Sequence, residues 1–188
     1  MRRRLGGRSI ILGTALVAAM MLVGSETAFG QDKKKISYTT KPENIKITDL
    51  HRLEIADMPG HRFSMSETRS TWPDGGGPVI EGRKAVEGIT WEQSETVAFN
   101  GHTHSYGVTR YDNGDQTFSE GHTIFQSVVN PDRTRKSTLT RTFLITGGTG
   151  TLKGIKGIGT TSGTLEYDAD NKITRVVSST ELEYWFEK

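Results

Sequence analysis

LITGGTGTLKGIKGIGTTSG, residues 144–163, decides the fold, because it supports two incompatible structures. In one, a strand runs into a phosphate-binding glycine loop and the chain handles nucleotides. In the other, the glycines carry the chain from one antiparallel strand to the next. A dinucleotide loop needs G-x-G-x-x-G between a strand and a helix, so that the pyrophosphate meets the helix N-terminus. Gly148 and Gly150 supply the first two glycines, but the third position holds Lys153, and Gly154 comes one residue late. A Walker loop needs Gly before its lysine, and Leu152 precedes Lys153. Gly154, Gly157 and Gly159 then crowd the segment where the helix should start, each costing about 0.8–1.0 kcal/mol in a helix interior. Without a helix the anion has no dipole to meet. The crossing is the reading the residues support.

The start of the chain predicts export. Arg2, Arg3, Arg4 and Arg8 precede an apolar stretch over 10–23, and Ala28-Phe29-Gly30 offers small residues ahead of Gln31. These are the parts of a cleavable signal peptide, and the apolar run is short for a spanning helix of about 20 residues. The arginines lack the rest of a twin-arginine signal, and a chain without cysteine has no lipoprotein anchor and no disulfides. Residues 1–30 hold four arginines and one glutamate, so the 24 basic and 22 acidic side chains of the whole become 20 and 21. The apparent basicity vanishes, and with it any argument for a nucleic-acid or anionic-membrane partner. Residues 31–46, with Lys33-Lys34-Lys35, are expected as a flexible, solvated lead-in.

From Leu50 onward no window sustains helical periodicity, whereas β-branched and Thr-rich runs alternate with turn signals. Strands are expected over 50–56, 61–71, 85–100, 101–111, 116–130, 137–146, 159–167 and 173–186. Asp112-Asn113-Gly114-Asp115 is the sharpest hairpin signal. Antiparallel sheets of this size hide their edges by closing or by splitting into a sandwich. The expected fold is therefore all-β: a single eight-stranded antiparallel β-barrel over 47–188, whose interior is filled by side chains or holds one small ligand.

The segment I-T-G-G-T-G-T-L-K-G-I-K-G, residues 145–157, resembles the G-G-T-G-x-[FY]-x-G-A-x-G signature of the allene oxide cyclase and dirigent-like barrels, calycin-type folds. The turn Asp57-Met58-Pro59-Gly60-His61 and the D-N-G-D hairpin resemble exported bacterial members of that group. The resemblance covers most of 50–188. It implies a barrel, often a homo-oligomer, whose cavity receives a hydrophobic or phenolic molecule and in characterised members steers a cyclisation or coupling. Leu152 and Ile155 stand where the signature has an aromatic residue and an alanine, and no catalytic residue of the plant cyclases aligns to a position here.

His102-Thr103-His104 is the sharpest chemical constellation, since i and i+2 share a strand face. A two-residue Asn113-Gly114 turn sets His102 opposite Phe125 and His104 opposite Thr123, with His122 on the other face. A three-residue turn reverses that parity and brings His122 beside His104, making His102, His104 and His122 a candidate metal set. For proton transfer the candidates are Glu67, Glu92, Glu95 and Glu120, with His104 and Tyr106; a carboxyl facing an apolar cavity has a raised pKa. Trp91, Phe99, His102 and Phe125 are the candidate ligand contacts. No Ser-His-Asp order or twelve-residue calcium loop occurs.

The sequence therefore predicts an exported protein, periplasmic or secreted, binding a small and largely apolar molecule in its lumen without a complete catalytic set. It predicts no cofactor, no nucleic-acid partner, no membrane association after signal cleavage, and leaves room for a homo-oligomer. Two alternatives stand beside this: a cyclase or isomerase using Glu95, His104 and Tyr106, and a histidine-liganded metal-binding barrel.

Overall fold

A computed structural model describes residues 32–187, which belong to one compact unit, Gln31–Lys188. The expected signal peptide and its cleavage site lie outside the described residues. Ten strands form one antiparallel sheet: β1 (Lys34–Tyr38), β2 (Ile45–Glu54), β3 (His61–Thr71), β4 (Val79–Ile80), β5 (Arg83–Val97), β6 (Asn100–Tyr111), β7 (Gln116–Val129), β8 (Arg135–Gly148), β9 (Ile155–Tyr167) and β10 (Ile173–Phe186). Their order is β1-β10-β9-β8-β7-β6-β5-β3-β2, with β4 paired to β5 off this path. Apart from β4, each strand from β2 to β10 thus lies beside its successor, as short hairpin connections dictate, and β1 returns to pair with the last strand.

The eight expected strands are all present, and two more join them. β1 arises inside the stretch 31–46 expected as a lead-in: Lys34 binds Glu81, and Lys33 and Lys35 both reach Glu183. Three consecutive lysines read as solvated when their carboxylates lie far away in sequence. β4 is a two-residue return. The eight-strand count is thereby corrected to ten, and the expected closure is not made by hydrogen bonds, because no ladder joins β1 to β2. The sheet nevertheless rolls far enough that one face encloses a shared interior. Across the seam, Trp72 Nε1–H donates to Thr40 Oγ1 at 3.2 Å and its ring meets Tyr38 edge-on at 6.5 Å.

The glycine segment is a strand-to-strand crossing. β8 ends at Gly148, a 3-10 turn spans Gly150–Leu152, and β9 starts at Ile155. No helix follows the glycines, which removes the nucleotide-loop reading. Gly154 has φ +81°, which an L side chain rarely adopts. Leu152 and Ile155, the two departures from the signature, are fully buried at the centre of the apolar cluster with Trp72, Ile80, Tyr111, Phe143, Ile145 and Leu182. Asp115 ties the D-N-G-D hairpin to this crossing: it accepts from Asn113 Nδ2 at 2.7 Å and from the Thr151 backbone N–H at 3.1 Å.

Candidate functional site

Strand alternation separates two faces. On β6, Thr103, Ser105 and Gly107 are buried while His102 and Tyr106 are exposed; on β7, Thr117, Gly121 and Thr123 are buried while Phe118, His122 and Ile124 are exposed. One register line across the interior reads Ser64, Ser94, Thr103, Thr123, Arg141, Thr161, Thr180 and Tyr38. Every member except Arg141 carries a hydroxyl. Several satisfy one another: Ser94 and Thr103 are 2.8 Å apart, Thr161 and Thr180 2.9 Å. Polar groups hidden from water demand such partners, so the layer is self-consistent around one cation.

Arg141 sits there because period two on β8 places it on the face of Ser137, Leu139, Phe143 and Ile145. Its Nη2 donates to Ser105 Oγ at 3.3 Å, and its buried Nε has no partner in the protein. Burial lowers its pKa, partly offset by Glu92. Glu92, on the same face of β5, accepts from Thr68 Oγ1 at 3.2 Å and Ser66 Oγ at 3.3 Å. Burial raises its carboxyl pKa against the opposing pull of Arg141. No ion pair joins the two among the described residues, so Arg141 is left with unspent donors beside a cavity of about 190 Å³. That cavity is lined by Arg141 with Tyr38, Trp72, Tyr111, Thr117 and Thr180, among others. Burial pushes the Tyr38 hydroxyl up as well, and that of Tyr111 to about 12, so both phenols act as neutral donors.

The residues singled out in the sequence are distributed differently. Glu95 faces outward and contacts His61 Nε2 at 3.0 Å, while His61 Nδ1 meets Asp57 at 2.6 Å. Trp91 faces outward and donates Nε1–H to Glu67 at 2.9 Å. Tyr106 is exposed, edge-on to His104 with ring centres 4.8 Å apart. His102 lies outside between Glu95 and Ile124. Phe125 lies on the inner face, between Gly101 and Leu139. Phe99 occupies the β5–β6 turn, beneath the Arg135 guanidinium at 4.1 Å. Of the candidate ligand contacts, none lines the cavity beside Arg141.

The β6–β7 turn settles the histidine register. Gly114 N–H bonds to Tyr111 O at 3.0 Å and Tyr111 N–H to Asp115 O at 2.9 Å, with Gly114 at φ +87°. This is a three-residue loop, a type I turn closed by a left-handed glycine. His104 therefore faces His122, their rings stacked 4.6 Å apart, while His102 faces Ile124. Glu120 Oε1 joins them 3.0 Å from His104 Nε2.

Against known proteins, no protein family, curated protein or solved structure gives a significant match to the chain. The residues themselves carry the functional argument. Arg141 was legible as an arginine on the same strand face as Phe143 and Ile145, a placement that alternation alone predicts.

Proposed function

We propose that the rolled sheet is a barrel-type container, open along one seam, that binds a single small molecule in its lumen. The observation that carries this reading is the buried, unpartnered Nε of the half-buried Arg141, in a hydroxyl-lined layer beside a cavity of about 190 Å³. A buried donor without a partner is costly, and a ligand oxygen offsets that cost. An apolar cavity of about 150 Å³ accepts benzene, so the space suits one substituted ring. Trp72, Tyr111 and Ile145 would pack the ring while Arg141 and the hydroxyls receive its polar group. The resemblance to allene oxide cyclase and dirigent-like barrels supports a lumenal ligand. The features of residues 1–30 support export to the periplasm or medium, tested by N-terminal sequencing of the extracytoplasmic chain for a start at Gln31.

A thermal-shift screen of one-ring phenols, alcohols and acids tests the lumenal site. At least one compound is expected to stabilise the protein, and Arg141→Met should abolish its shift. No stabilising compound, or an undiminished shift in the variant, overturns the proposal.

Binding fits better than cyclisation. The cavity is smaller than the about 300–1,000 Å³ of drug-sized sites, and Glu95, His104 and Tyr106 face away from it. A metal-binding reading has one specific observation in its favour: ligand atoms of His104, Glu120 and His122 lie within 4.8 Å of one another on the outer face. Two imidazoles and a carboxylate suit zinc, iron or copper. Calorimetric titration with zinc or copper tests it, and equal heat from wild type and His122→Ala would sink it.

A further inference from the structure

A second pocket, of about 170 Å³, shares no lining residue with the first. Its walls are Ile47, Arg52, Arg62, Phe99, Arg135 and Tyr167, with smaller contributions from neighbours. We propose that it binds a planar aromatic carboxylate.

Charge argues first. Three arginines line this space and no acidic residue does. Arg62 is bound by Glu54 at 2.6 Å. Among the described residues neither Arg52 nor Arg135 has a carboxylate within ion-pair reach, and the buried Arg135 Nε has no partner in the protein. An unsatisfied buried donor contributes nothing to packing, whereas a carboxylate receives the planar guanidinium fork through two parallel bonds.

Preorganisation argues second. The Arg135 guanidinium lies against two aromatic rings, Phe99 at 4.1 Å and Tyr167 at 3.8 Å, contacts that restrict it before a ligand arrives. Phe99 is placed by the two-residue hairpin turn between Val97 and Asn100, in which Ala98 and Phe99 both take left-handed φ, +48° and +65°, as a type I′ turn requires. The surroundings hold this turn in place. Ala98 N–H bonds to Gly60 O at 3.1 Å, Ser127 Oγ donates to Phe99 O at 2.8 Å, and Ser127 N–H to Asn100 Oδ1 at 2.7 Å.

Wall chemistry selects the ligand. Ile47, Ile173, Phe99 and Tyr167 offer apolar and aromatic surface that a bare phosphate cannot use and a ring can.

The test titrates the full-length protein with benzoate, its neutral isostere benzamide, and inorganic phosphate, followed by calorimetry and by backbone amide shifts. Benzoate should bind saturably, with benzamide and phosphate weaker by about tenfold or more. Shifts should fall on Phe99, Arg135 and Tyr167. Arg135→Gln and Arg135→Lys should both weaken benzoate by about tenfold, the lysine because it keeps the charge and loses the fork. Benzamide or phosphate matching benzoate would overturn the proposal, as would shifts confined to Trp72, Tyr111 and Arg141, or no saturation by about 10 mM. The ligand series on the unaltered protein decides the matter if either variant fails to fold.

Discussion

The outer end of the Phe143 ring, its Cζ and Cε atoms, fills the space beside Gly159 on the adjacent strand that a Cβ there would occupy. Gly121, on the other neighbouring strand, makes the matching room: a Cβ there would approach the Phe143 Cβ to 2.8 Å. Phe143 is thus seated between two glycines, one of them inside the segment 144–163.

Gly159→Ala should therefore destabilise the protein by about 1–3 kcal/mol, the usual cost of overpacking. Phe143→Leu costs stability on its own but removes the obstacle. In the double variant the two effects should fall short of additive, which urea unfolding of all four proteins measures. Full additivity would mean that the ring and the glycine are independent.

Ala98→Gly should do the opposite. It relieves a left-handed alanine while leaving every backbone bond of the turn intact, and the expected gain is about 0.5–1 kcal/mol, less the added chain entropy. The urea midpoint should rise at unchanged slope.

His61 gives a pH signature. Asp57, then Glu95, hold its imidazole above the ordinary value, so the folded state binds the proton more tightly than the unfolded chain. That contribution is complete below about pH 6.5, the unfolded value, and is lost as pH rises through the higher folded value. Unfolding midpoints from pH 6 to 9 should decline, and His61→Gln should flatten the decline. An NMR titration placing His61 at or below 6.5 would contradict the expectation.

Glu92 works through burial. Its folded carboxyl is raised, so its contribution is present below the unfolded value near 4.3 and is lost as pH climbs through the folded one. At pH 7 burial opposes an ionisation that the unfolded chain makes freely, which costs stability, and Glu92→Gln should raise the urea midpoint there more than at pH 4. A uniform rise at both pH values would show that ionisation is not the cause.

Strand positions were legible because Thr- and Val-rich runs and Asn-Gly, Pro-Asp and Asp-Asn turns act locally. Which face turns inward was not. Alternation identifies a buried face by its apolarity, yet here the interior line is hydroxyls around Arg141, while Trp91, Tyr106, Ile124, Leu144 and Ile158 are exposed on the outside. That inversion is why Glu95, His104 and Tyr106 read as lumenal candidates. The histidine parity turned on one residue, since Asn-Gly serves both a two-residue turn and the three-residue loop that Gly114 closes. β1 was hidden because its partner strand is the last in the chain.

That pairing of first strand with last, Lys34 opposite Tyr184, also sets a timetable. Neighbouring hairpins can zip as they emerge, but the β1–β10 ladder closes a loop spanning nearly all the described chain, the slowest kind of contact to form. Until the final strand is delivered, β9 and the half-built trough present a bare edge. Completion of the sheet therefore waits on β10: before it is in place β1 has no neighbour and β9 has one open side.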